Sequence, residues 1–200
     1  MHFDFVDIGT CDFETSADIA NVGQSVLLVE PLQFYLDRIP NRPNITKVNL
    51  AVGNVNKFVD VKFVPEDVIQ KYNLPHWLKG CSNVGDGYHQ TVLKVFNQNN
   101  IPLNLIEIKQ IQIVTFQELC SRCSIDSIDS LKIDTEGYEQ YILPNILEMV
   151  KEGFFINTLK YENQESLGNK VFVDYMTAEF VKLNYRVVDI NQVDTILKKL

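Results

Sequence analysis

A chain of 200 residues that is 46% apolar, with 18 basic against 26 acidic side chains and a net charge of −8, has the size and composition of one globular domain with a single core. That balance argues against nucleic acid as a partner, because phosphate binding draws on clustered Lys and Arg, and no run approaches the ~20 apolar residues that span a bilayer. The start, Met1-His2-Phe3-Asp4, lacks the basic-then-apolar layout of a secretion signal, so a cytoplasmic address is expected and Cys11, Cys81, Cys120 and Cys123 are expected as reduced thiols.

In chain order, apolar β-branched runs predict strands over 3–8, 25–29, 46–52, 58–64, 106–114, 130–134, 154–161 and 185–190. Stretches of helical period alternate with them, the pattern of an α/β fold with a parallel sheet flanked by helices. A helix is expected over about 15–21, and Pro31 suits the first position of the next. Gly53-Asn54, between two of the strands, leaves a hairpin open as an alternative. The polar segment 65–104 holds Trp77, Tyr88, His76 and His89 among several Gly and Pro, and is expected to be a loop or helical insertion within one domain, a candidate lid for binding an acceptor. Trp77 reads equally well as a core anchor, and His89 as a surface residue. Phe116, Leu119, Cys120 and Cys123 recur at helical spacing, so the C-x-x-C is read as core packing before redox chemistry or half a zinc site.

Ligands of open α/β sheets bind beyond the carboxyl ends of the strands, and five strand ends here carry suggestive residues. The first is Asp7-Ile8-Gly9-Thr10-Cys11, an acid and a glycine before a turn. With a single glycine it is no G-x-G-x-x-G pyrophosphate cradle, and Asp7 places negative charge where a phosphate would lie. The second is Glu30-Pro31, 23 residues after Asp7, a spacing at which a carboxylate accepts hydrogen bonds from both ribose hydroxyls. The third is Lys132-Ile133-Asp134-Thr135-Glu136-Gly137-Tyr138-Glu139. A lysine inside an apolar strand demands a carboxylate partner, and crowded acids raise one another's pKa in the way a general base requires. A plain Lys132 to Asp134 pair with a solvated helix face is the structural alternative. The fourth, Lys160-Tyr161-Glu162, repeats the Lys-x-acid arrangement, and the two together suggest one polar site. The fifth, Asn49-Leu50-Ala51-Val52-Gly53, offers small apolar residues that suit a flat base.

On these motifs, with Ser16 downstream of Gly9 and with Val114-Thr115-Phe116-Gln117-Glu118-Leu119, the chain resembles the FkbM-type methyltransferases, class I enzymes that use S-adenosyl-L-methionine (SAM). The resemblance runs over nearly the whole chain and is most specific at 131–139. It implies a three-layer Rossmann-like fold with a mostly parallel seven-stranded sheet whose last strand is antiparallel. It implies methyl transfer to the hydroxyl oxygen of a small molecule or carbohydrate. Carried over by position, Asp7 and Gly9 meet the methionine part of SAM, Glu30 its ribose, and Ala51 and Val52 border its adenine, with Thr10, Cys11, Ser16 and Pro31 also expected to bind the cofactor. Cys11 and Phe13 depart from the family's usual Asn and Gly, making the loop bulkier. The base is expected in Asp134 and Glu136, then His89, with Glu162 orienting the acceptor. A magnesium site at Asp134 and Glu162 finds no support in spacing alone, so no metal is expected; a homo-oligomer is left open. Two other readings stand beside this one: a catalytically silent Rossmann-like scaffold, and a nicotinamide-dependent oxidoreductase, for which the glycine-rich loop is lacking.

Overall fold

The structure is a computed structural model that describes residues 1–12, 24–163, 170–191 and 193–200. The helix expected over 15–21, with Ser16 and Phe13, lies outside the described residues. Along the chain come β1 (His2–Ile8), β2 (Val26–Val29), α1 (Gln33–Arg38), β3 (Ile45–Val48), β4 (Ala51–Gly53), β5 (Lys57–Phe63), α2 (Glu66–Lys71), β6 (Asn83–Val84), α3 (Gln90–Gln98), β7 (Glu107–Thr115), α4 (Phe116–Arg122), β8 (Ser127–Ile133), α5 (Glu139–Lys151), β9 (Phe155–Glu162), α6 (Lys170–Lys182), β10 (Tyr185–Ile190) and β11 (Asp194–Lys199). They form two compact units, one of Met1–Lys57 with Ile113–Leu200 and one of Phe58–Gln112.

The first unit holds a seven-stranded sheet in the order β10-β11-β9-β8-β1-β2-β3. β8, β1, β2, β3 and β9 run parallel, and β11 is antiparallel to both β9 and β10, so the antiparallel last strand is present. Central strands of this kind are covered on both faces, and every residue of β2 is buried. The core joins Val6, Ile8, Leu27, Leu131, Ile133, Ile156 and Leu159 to the inner stripe of α5, Ile142, Leu143, Ile146 and Leu147. Pro144 falls on the exposed side of that helix. α4 starts at Thr115, whose hydroxyl accepts from the Glu118 amide at 3.1 Å as an N-cap, and it buries Phe116, Leu119 and Cys120. Cys120 packs in the core, and burial pushes its thiol up to about 12, so the C-x-x-C is packing.

Three expectations change. The strand expected over 46–52 is two: the Asn49 side chain donates to the Glu30 and Pro31 carbonyls at 3.0 and 2.8 Å and turns the chain out of the sheet, so that β3 ends at Val48. β4 then restarts in parallel with β7 through Ala51↔Ile113, Val52↔Val114 and Gly53↔Thr115, and no hairpin forms at Gly53-Asn54. Gly53 is demanded here, because a Cβ would stand 2.5 Å from Ile113 Cδ1 and 2.9 Å from Tyr138 Cε1. Pro31 precedes the helix by two positions, because the Leu32 amide is taken by the Glu30 side chain and α1 begins at Gln33. β11 was not legible, since Asp194-Thr195-Ile196-Leu197-Lys198-Lys199 hides only Thr195 and Leu197 between charged ends.

The second unit has the strand order β7-β5-β6, with β6 antiparallel to β5. Its own core contains Val64, Val68, Ile69, Leu74, Leu78, Val92, Phe96, Ile101 and Ile106. Within it Trp77 is 49% exposed while His89 is buried, the reverse of an anchoring Trp and a surface His.

Candidate active site

Because β2, β1, β8 and β9 are parallel neighbours, the residues that follow them share one edge of the first unit. Gly9 leaves β1 at φ +85°, donates its amide to the Val29 carbonyl at 2.9 Å, and sits where a Cβ would lie 1.9 Å from the Asp134 carbonyl oxygen. The glycine is therefore needed to bring the loop after β1 against the end of β8. Cys11 follows in the left-handed region at φ +51°, a conformation that Asn adopts more readily than Cys. Its amide donates to Glu30 Oε2 at 2.8 Å, while the Leu32 amide donates to Glu30 Oε1 at 2.9 Å. Asp12 pairs with Arg38 Nη1 at 2.8 Å and fixes the loop to α1, the guanidinium lying 5.9 and 5.5 Å from the Phe34 and Tyr35 ring centres.

Glu30 is 4% exposed. Burial pushes its carboxyl up to about 7; the amides of Leu32 and Cys11 oppose the rise, and the charges of Asp7 and Asp12 add to it. A carboxylate has about four acceptor positions, and the two amides engage one on each oxygen. The remaining positions are acceptors that two hydroxyl donors could use.

Lys132 bridges β1 and β8, with Nζ 3.3 Å from Asp7 Oδ1 and 3.0 Å from Asp134 Oδ2. Burial works against its charge, but the two carboxylates outweigh that and hold its pKa above the ordinary value. Asp7 is wholly enclosed; desolvation raises its carboxyl above the usual range against the pull of Lys132. Thr10, also buried, has its hydroxyl beside Asp7. The pairing demanded of Lys132 is thus met twice. The fourth strand end behaves differently, because Lys160 turns to Asp194 on β11 at 2.8 Å and leaves Glu162 to other partners.

The turn after β8 is fastened by Glu139, whose Oε1 accepts from the Thr135 amide at 2.8 Å and hydroxyl at 2.6 Å. Glu139 is buried, which raises its carboxyl. Glu136 is held at φ +55° and donates its amide to Glu162 Oε2 at 3.1 Å. Carboxylate oxygens of Asp134, Glu136 and Glu162 lie within 4.8 Å of one another, so these three expected residues come together and form one of the groups that could hold a metal ion. Ala51 and Val52 are buried on β4 and Pro31 is half-buried. His89 belongs to the second unit, at the start of α3 in a small pocket lined by Lys62, Cys81, Tyr88 and Ile106. Asn49, Asp12 and Arg38 were missed as site builders; a polar residue closing a strand and an acid in the first turn were the available signals.

A doubly wound sheet with this strand order, an antiparallel last strand and acids at the carboxyl ends of its strands has the Rossmann-like methyltransferase architecture. Solved structures agree at the level of fold: a crystal structure of methyltransferase FkbM from Methylobacillus flagellatus KT matches with a TM-score of 0.52 at 16% identity, covering 98% of this chain and 44% of that one. The Methyltransferase FkbM domain matches residues 7–187, and the chain belongs to that family. No curated protein shows a recognisable match.

Proposed function

We propose that the protein is a SAM-dependent methyltransferase acting on a hydroxyl oxygen of a small molecule or carbohydrate. The observation that carries the reading is the buried Glu30 carboxylate at the end of β2, held by the Cys11 and Leu32 amides with acceptor positions to spare, in a chain of the FkbM family. SAM, when bound, supplies a methyl carbon activated by a sulfonium. Glu30 accepts the ribose hydroxyls, with Pro31 beside it. The backbone of Gly9, Thr10 and Cys11 borders the methionine end, and Asp7 supports it from beneath by holding Lys132. Ala51 and Val52 form the apolar side of the adenine slot. Acids rather than basic groups at these strand ends suit a cation and a donor without phosphate.

At the acceptor, one carboxylate of the Asp134 and Glu136 pair takes the hydroxyl proton, and Glu162 holds the Glu136 backbone through its amide. Lys132 holds Asp134 in place through their 3.0 Å ion pair. Alignment of the reactants supplies up to ~7–11 kcal/mol and a base a further ~10²–10⁴-fold, so holding the acceptor matters more than the strength of the base. A thermal-shift comparison of SAM, its demethylated product S-adenosylhomocysteine and NAD tests the reading. Stabilisation by the first two is expected; stabilisation by NAD alone points to the oxidoreductase, and by none of them to a silent scaffold.

A further inference from the structure

β10 is the edge of the seven-stranded sheet, bonded to β11 alone among the described strands. Its residues from Arg186 to Ile190 are all exposed, with Val187, Val188 and Ile190 at 42%, 55% and 55%. The register with β11 reads Tyr185↔Lys199, Arg186↔Lys198 and Val187↔Leu197, then Asp189↔Ile196 and Ile190↔Thr195, so Val188 is an extra residue in a bulge. Opposed residues share a face, and successive residues of β11 alternate between faces. Tyr185, Val187 and Ile190 therefore lie on the face of Leu197 and Thr195, and Arg186 and Asp189 lie together on the other. In a regular strand two residues three apart point to opposite faces; the bulge brings them to one.

That arrangement makes the edge complementary to itself. We propose that β10 is the seam of a two-fold homodimer, paired antiparallel with the same strand of a second copy about an axis between Val187 and Val188. In this register Arg186 stands opposite the partner's Asp189, Val187 opposite the partner's Val188, and Tyr185 opposite the partner's Ile190. The Arg186–Asp189 and Tyr185–Ile190 pairs match in face, and symmetry gives the charge pair twice. A slip of one residue either way sets Arg186 against a valine or an isoleucine and loses both charge pairs, so the register is specified. Within its own chain Arg186 has the like-charged Lys198 as its cross-strand neighbour, and the partner's acid offsets that repulsion. A seam of six residues buries less than the ~1,000 Å² of a tight dimer, so association is concentration-dependent.

Sedimentation equilibrium of the whole chain over a range of roughly 10–500 µM tests this. Wild type is expected to pass from monomer to dimer mass. Arg186→Asp and Asp189→Arg each set like charges opposite one another and should weaken association ~10-fold or more, and the double reversal should restore it. Both positions are exposed, and thermal melts check that the variants fold; Arg186→Gln and Asp189→Asn serve if a reversal does not. A monomer at every concentration, a dimer indifferent to either reversal, or a double variant that stays weakened overturns the proposal.

Discussion

Glu30 meets two demands that pull its proton in opposite directions. Burial raises its pKa from 4.5 to about 7, so the folded chain holds that proton more tightly than the unfolded chain does. Stability from this group is therefore greatest below pH ~4.5, declines as pH rises towards 7 and is level beyond. Asp7 and Glu139 are shifted upward by burial as well and act in the same sense. Thermal melts from pH 5 to 8 should show that decline, shallower in Glu30→Ala. Binding runs the other way, because accepting both ribose hydroxyls needs the carboxylate; the affinity for S-adenosylhomocysteine should rise between pH 6 and 8. Each hydrogen bond to a charged group contributes ~1.5–3 kcal/mol, so Glu30→Ala should weaken that affinity at least ~100-fold by calorimetry while the circular dichroism stays native. Unchanged affinity would remove the ribose assignment. Asp134→Asn should bind S-adenosylhomocysteine as wild type does and lose turnover, and wild-type rates in that variant would dismiss Asp134 as the base. At Gly9 the constraint is steric: in Gly9→Ala the new Cβ meets the Asp134 carbonyl at 1.9 Å on a left-handed backbone. The two loops must part, and a lower melting temperature with lost donor binding is expected.

The pairing of elements explains which parts of this could be read in advance. Lys132 ties β1 to β8 through Asp7 and Asp134. Lys132→Met leaves a wholly enclosed carboxylate without its ammonium and should destabilise by ~3–5 kcal/mol, about 10 °C in melting temperature, with recovery on adding Asp7→Asn. No recovery would mean the bridge is not what the lysine provides. The need for a partner was legible from one Lys in an apolar strand; that Asp7, 125 residues away, supplies it follows only from the β1–β8 register, in which Asp7 lies opposite Lys132. The central strands were legible because burial on both faces writes continuous apolar runs. β11 was not, because it buries only Thr195 and Leu197 and the rest is mostly charged. The break between β3 and β4 was also hidden, since the Asn49 amide that causes it reaches carbonyls 18 and 19 residues earlier in the chain.

Across the molecule the charge is unevenly shared. Phe58–Gln112 holds five lysines and five acids, so the net −8 belongs to the unit that carries the strand ends. An acidic sheet edge attracts a cationic donor and repels phosphates, in keeping with SAM rather than a dinucleotide. Among the described residues no helix is long and apolar enough to cross a membrane. The scarcity of glycine, nine residues in the chain, is explained where two of them stand: Gly9 and Gly53 are each forced by a neighbour that leaves no room for a Cβ. The class of fold and the acids that gather at its edge were therefore legible, whereas the environments of His89 and Trp77 were left open, because nothing in a polar, proline-punctuated segment announces which side chains its own small core will take. The most direct measurement is a crystal structure with S-adenosylhomocysteine: the ribose hydroxyls should lie ~2.6–3.2 Å from the Glu30 carboxylate with the sulfur at the ends of β1 and β8 beside Asp134, and a nucleoside bound elsewhere with Glu30 untouched would contradict the assignment.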